Sequence, residues 1–211
     1  MFTGIVTAIG TVASVEQRGD LRVRIACPFD PAEIAIGASI ACSGVCLTVV
    51  ERGALRQVQD ERDKGWFAVD VSHETVSRTA GGQWQEGRTI NLEPALKLGD
   101  ELGGHIVTGH VDAVGHVVAA EAAGGSTRLT IAAPPDLAPF IAPKGSITVD
   151  GVSLTVNAVA DRPDGAVHFT LNIIPHTGAV TTLGHLREGD AVNLEIDVLA
   201  RYLKRMESLR N

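Results

Sequence analysis

The chain has 211 residues, 45% hydrophobic and 20% charged, which is too apolar for a disordered polypeptide and long enough for two domains of about 100 residues. Lys and Arg number 18 against 25 Asp and Glu, a net charge of −7, so a nucleic-acid backbone would be repelled over most of the surface. No apolar run nears the roughly 18 residues that cross a bilayer, and the start carries no basic leader, so neither nucleic acid nor membrane is expected as a partner and the chain reads as cytoplasmic.

From its first residues the chain is written twice, with a period near 105. Thr3-Gly4-Ile5-Val6 returns as Thr108-Gly109-His110-Val111. The run from Ser39 to Val49 lies over that from Ser146 to Val156 with seven of eleven residues identical. Asp70-Val71-Ser72-His73-Glu74-Thr75 answers Asn172-Ile173-Ile174-Pro175-His176-Thr177, and Asn91-Leu92-Glu93 answers Asn193-Leu194-Glu195. Within each copy apolar residues alternate with polar ones, as at Leu21, Val23 and Ile25, and Gly, Pro and Asp clusters punctuate the runs. About six strands per copy are expected, and closing them into a small antiparallel barrel removes the exposed edges. The expected fold is all-β: two tandem six-stranded antiparallel Greek-key barrels over 1–97 and 98–197, then a C-terminal α-helix over 198–211. In that last segment Leu199, Tyr202, Leu203, Met206 and Leu209 recur at helical spacing. Such a short helix is marginal alone, so its stripe must dock on its own barrel or bundle with copies from other subunits.

Cys27, Cys42 and Cys46 form an odd set without a Cys-x-x-Cys pair, which argues against a disulfide framework and against zinc. Were Cys42 and Cys46 to share a strand, they would stand roughly 13 Å apart, beyond disulfide reach. All three are expected to stay reduced.

Differences between the copies mark candidate chemistry. His110 stands where the first copy has Ile5, and a scaffold needs no histidine there for folding. His105, beside Gly104, reads as a structural hydrogen-bonder. Cys46 faces Ser153 across the repeat, a small polar group in both, and Thr48 and Thr155, two residues on, share that strand face. Asp197 has Ala95 as its counterpart, which suggests either a chemical task or a helix N-cap.

These ordered blocks, from Met1-Phe2-Thr3-Gly4-Ile5-Val6 through Gly44-Val45-Cys46-Leu47-Thr48-Val49 and Gly104-His105-Ile106-Val107-Thr108-Gly109-His110 to Asn193-Leu194-Glu195-Ile196-Asp197, resemble the riboflavin synthase family over the whole chain. The resemblance implies a dismutation in which one 6,7-dimethyl-8-ribityllumazine gives a four-carbon unit to another, yielding riboflavin and 5-amino-6-(D-ribitylamino)uracil, with no cofactor and no metal. It implies a homotrimer in which the N-terminal barrel of one subunit faces the C-terminal barrel of the next, and leaves association with a lumazine synthase capsid open.

By the same resemblance Cys46, His110, Ser39, Ser153 and Asp197 are candidate catalytic groups. Substrate contacts are expected from Gly4, Ile5, Val6, Cys46, Leu47 and Thr48, from the segment Asp70 to Thr75, and from Gly109, His110 and Val111. Lys144 is expected to reach a neighbour's site, and Ser153, Leu154, Thr155 and the segment Asn172 to Thr177 to line the second pocket. That second segment departs from the common pattern, because His176 stands where Glu is usual. A non-catalytic lumazine- or flavin-binding antenna keeps the same barrels, and a flavoprotein reductase would need a Gly-x-Gly-x-x-Gly nucleotide motif, which is not found.

Overall fold

The computed structural model describes residues 1–55 and 64–210. In the first repeat, β1 (Ala8–Arg18), β2 (Asp20–Cys27), β3 (Ser39–Cys42), β4 (Val45–Ala54), β5 (Gly65–Val71) and β6 (Thr89–Pro94) close into one antiparallel barrel in the order β1-β2-β5-β4-β3-β6. The short helix α1 (His73–Arg78) follows β5. Alternation drives the closure: Val23, Ile25, Val49, Phe67, Val69 and Leu92 turn inward and are wholly buried, while their neighbours face out.

The second repeat is built from β7 (Ala113–Ala123), β8 (Ser126–Ala133), β9 (Ser146–Val149), β10 (Val152–Thr155), β11 (Ala158–Asp161), β12 (Val167–Ile173) and β13 (Ala191–Ile196), with α2 (Pro175–Val180) after β12. Its order, β10-β9-β13-β7-β8-β12-β11, is that of the first barrel with one difference. The strand equivalent to β4 is in two pieces, so seven strands stand where six were expected. The break falls where the first barrel has a register shift. In β4 the pairing with β5 shifts between Val49 and Glu51, a bulge. At the matching place the strand is interrupted at Val156 and Asn157: Val156 N donates to the Gly145 carbonyl (2.9 Å), as Val49 N does to that of Ala38 (2.9 Å), and Asn157 N donates to the Thr170 carbonyl of β12 (2.8 Å).

The two repeats pack about a local pseudo-twofold. Phe2 and Val107, equivalent residues, bridge through two backbone hydrogen bonds of 2.8 and 3.0 Å. The hairpin tips Ser43-Gly44 and Asp150-Gly151 all take positive φ, from 44° to 82°, as two-residue turns between right-twisted strands require. They meet backbone to backbone: a Cβ on Gly44 would lie 2.9 Å from the Gly151 nitrogen. Two buried asparagines cross the seam. Asn91 Nδ2 donates to the Asp150 carbonyl (2.9 Å) and Asn193 Nδ2 to that of Ser43 (2.8 Å), while their side-chain oxygens accept from Thr182 N (2.8 Å) and Ala80 N (2.7 Å).

Helix α3 (Val198–Glu207) begins at Asp197, whose Oδ1 accepts from Leu199 N at 2.9 Å. Of the two readings open for Asp197, the cap is the one the backbone shows. The apolar stripe of α3 is not docked on its own barrel, since Leu199, Tyr202, Leu203 and Met206 are each more than half exposed. Cys42 and Cys46 are thiols, but they do not share a strand: Cys42 ends β3 and Cys46 lies on β4 beyond the turn, opposite Ala41. Among the described residues no helix is long and apolar enough to span a membrane.

Candidate active site

Because Ile40, Leu47 and Val49 point into the first barrel, Ser39, Ala41, Cys46 and Thr48 face outward. Register then lays three residues in a row across that outer face, Glu93 on β6, Ala41 on β3 and Cys46 on β4. The second repeat repeats the row as Glu195, Thr148 and Ser153. Each glutamate clasps the Thr-Gly segment of its own repeat. Glu93 accepts from Thr3 N (2.7 Å), Thr3 Oγ1 (2.8 Å) and Gly4 N (3.0 Å). Glu195 accepts from Thr108 N (2.6 Å), Thr108 Oγ1 (2.7 Å), Gly109 N (2.9 Å) and His110 N (3.1 Å). Burial pushes the Glu93 carboxyl above its usual value, and the Thr3 and Gly4 donors pull it back.

Each clasped segment is then laid against the other barrel. Cys46 N donates to the Gly109 carbonyl and Ser153 N to the Gly4 carbonyl, both at 2.8 Å. Only glycine permits this approach: both have φ near +76°, and a Cβ would stand 2.6 Å from Cys46 Cβ or 2.5 Å from Ser153 Cβ. Val111 packs on the core of the first barrel and Val6 on that of the second. The segment carrying His110 therefore belongs to the second repeat by sequence and to the first barrel's surface by contact.

A cavity of about 230 Å³ results, bounded by Cys46 on β4, by Glu74, Thr75 and Arg78 on α1, and by Gly109, His110 and Val111. Ser72 starts α1, accepting from Thr75 N at 3.2 Å and sharing a 2.9 Å bond with Thr75 Oγ1, which fixes Thr75 at the rim. Glu74 and Arg78 pair at 2.9 Å, one turn apart, both exposed.

The other expected residues are placed variously. Leu47, Val71 and Ile173 are core side chains and Leu154 packs on the second core, so they present only backbone to a ligand. Asp70 is held in a fork by Arg22 at 2.6 and 3.0 Å, which keeps its carboxyl below the usual range. Ser39 and Thr48 sit opposite each other on the outer face, as do Ser146 and Thr155. His73, Asn172, Ile174, Pro175 and His176 are exposed, and Thr177 is half-buried on α2. Lys144 is exposed with φ 67°, where the first repeat has Gly37 at 86°.

Three groups emerge that sequence reasoning did not place at the site. His105 spans the second row, its Nδ1 pairing with Ser153 Oγ and its Nε2 with Thr148 Oγ1. Burial holds its pKa below the ordinary histidine value, against the opposing pull of Asp197 and Glu195. Glu93 and Glu195 are identical in the two copies, a signal available in the alignment, although their burial was not. Arg78 was findable as the residue four beyond Glu74 on a helix.

Such a frame, two repeats that each complete the other's outer pocket, is that of the lumazine-binding domains. The family model described as "Lumazine binding domain" matches residues 3–95 and again 108–197. The riboflavin synthase of Brucella abortus (strain 2308) is 48% identical over 210 residues, 98% of this chain and 98% of that one. That of Photobacterium phosphoreum is 42% identical over 208 residues, 98% of this chain and 88% of the other. The chain belongs to the riboflavin synthase family. Among solved structures, LumP complexed with riboflavin superposes with a TM-score of 0.75 at 24% identity, covering 93% of this chain and 99% of that one, which shows the fold. LumP complexed with 6,7-dimethyl-8-(1'-D-ribityl) lumazine gives 0.73 at 22% identity, with the same coverage.

Proposed function

We propose that the chain converts two molecules of 6,7-dimethyl-8-ribityllumazine into riboflavin and 5-amino-6-(D-ribitylamino)uracil by transfer of a four-carbon unit. The observation that carries this reading is full-length membership of the family together with a pocket that joins Cys46, Thr75 and His110 from three elements. The two products together contain the atoms of the two substrates, so no outside oxidant or reductant is consumed. Loss of a proton from the C7 methyl of one lumazine gives a carbanion, while a nucleophile added at C7 of the other prepares it as the donor. Holding the rings face to face supplies much of the rate.

His110 is suited to moving the proton, because its imidazole offers a ring nitrogen that can donate and one that can accept at the wall of the cavity. Cys46 acts as a polar contact or assistant to the nucleophile rather than as a covalent catalyst. Thr48 and Thr155 meet the ring edges, and the segments ending at Thr75 and Thr177 meet the ribityl hydroxyls. The stack forms between the first barrel of one subunit and the second barrel of the next in a homotrimer, which the uncovered stripe of α3 supports. Lys144 reaches into the neighbour's site: a lysine in the left-handed region, where the first repeat has a glycine, is kept for its side chain. The working place is the cytoplasm.

Mixing the purified protein with the lumazine alone tests this. Riboflavin fluorescence is expected without any additive. Binding of lumazine with no flavin formed would replace the enzyme by a binding protein. Truncation before Val198 is expected to leave monomers of little activity; a fully active truncated monomer would overturn the intersubunit site.

A further inference from the structure

We infer that Arg201 and Asp112 are positioning residues for the first pocket, a role that rests on the reading of His110 given above. Asp112 lies two residues beyond His110, and its side chain is largely covered. Its Oδ2 accepts from Ile196 N at 2.9 Å, and the Arg201 guanidinium grips both oxygens at 2.7 and 2.9 Å. Asp112 N donates to the Leu194 carbonyl at 2.8 Å. The segment from 108 to 112 is thus fastened at one end to Glu195 and at the other to Ile196 and α3. The chain between those fastenings carries His110 and lies over Cys46.

The first repeat supplies the contrast. There Asp112 is matched by Thr7 and His110 by Ile5, and Arg201, which lies beyond the repeated segment, has no counterpart. The repeat that carries the histidine is the one that carries the fork. A bidentate charged fork fixes direction as well as distance, which a single backbone bond does not. α3 is otherwise lightly attached, resting on the 3-10 turn Pro135–Phe140. Helix and histidine therefore move as one piece, and the fork transmits the seating of α3 to the pocket.

The test is a double-mutant cycle in the full chain, with R201M and D112N each made alone and with H110A. With His110 present, each is expected to lower kcat about tenfold with little change in KM, and R201K to restore part of it. In the H110A background neither is expected to lower kcat further. Equal losses in both backgrounds, or full activity of both variants, would overturn the proposal. A second readout does not depend on turnover. Alkylation of Cys46, half-buried against Gly109, is expected to quicken about fivefold in R201M and D112N, with buried Cys42 as the unreactive reference. Unchanged alkylation would sink the fastening itself, whereas quickened alkylation in a chain that makes no flavin would leave the fastening standing and remove the enzymatic reading.

Discussion

His105 Nδ1 lies 2.7 Å from Ser153 Oγ while Nε2 of the same ring lies 3.2 Å from Thr148 Oγ1, so one imidazole holds two hydroxyls of the second barrel's outer face. Burial holds its pKa below 6.5, the unfolded value. Above 6.5 both states are neutral and the contact contributes in full. As pH falls below 6.5 the unfolded chain gains a proton that the folded ring resists, so this contribution is lost on the acid side. The melting temperature of the wild type should fall relative to H105Q between pH 7 and pH 5. Parallel curves for the two proteins would refute the assignment.

Asp150 acts with the opposite sign. Its carboxyl is buried at the seam, with Oδ1 accepting from Asn193 N at 2.8 Å, and burial pushes its pKa from 3.8 up to about 7 against the pull of that hydrogen bond and of Arg88. The stability it contributes is complete below pH 3.8 and is lost as pH rises through about 7, by about 4 kcal/mol as an upper bound. The first repeat does the same backbone task with a hydroxyl, Ser43 Oγ accepting from Asn91 N at 3.1 Å. D150S should therefore be more stable than the wild type at pH 8 and lose that advantage near pH 4. Denaturant titration at the two pH values reads the difference; an advantage that does not change with pH would count against it.

Much of this architecture was legible because the two copies could be read against each other. His110 in place of Ile5 is visible in the sequence and lines the cavity beside Cys46, and the alternation at Val23 and Ile25 gives the inner face. What stayed hidden depends on packing between repeats. His105 and Ser153 are 48 residues apart, and their meeting follows from the crosswise seating of the Thr-Gly segments. Asn157, a poor strand former, stands where the first repeat has Val50, so the broken ladder of the second sheet leaves only a one-residue trace in composition. The stripe of α3 was plain from spacing, but periodicity says only that an apolar face exists.

Gly109 and Gly4 should prove equally intolerant of a side chain. Each combines positive φ with a neighbour that a Cβ would overlap, Cys46 for one and Ser153 for the other. G109A and G4A should each cost about 1–3 kcal/mol, summing backbone strain and displaced packing. Urea unfolding of the two variants beside the wild type measures it. A cost in one without the other would mean that the two crossings are not mechanically alike.

Cys46 tests whether the first pocket needs a thiol or only a small polar group. The matching residue of the second repeat is Ser153, in the same register opposite its β-strand partner, so a serine fits that backbone without rearrangement. The side chain is only partly covered and lines the cavity with His110, so its polar end is available to a ligand. C46S should keep kcat within about threefold of the wild type, whereas C46A, which removes the hydrogen-bonding group, should lower it about tenfold. Riboflavin formation followed by fluorescence separates them. If C46S is as impaired as C46A, sulfur has a role that a hydroxyl cannot fill, and the thiol is then to be sought as a nucleophile through trapping of a covalent adduct.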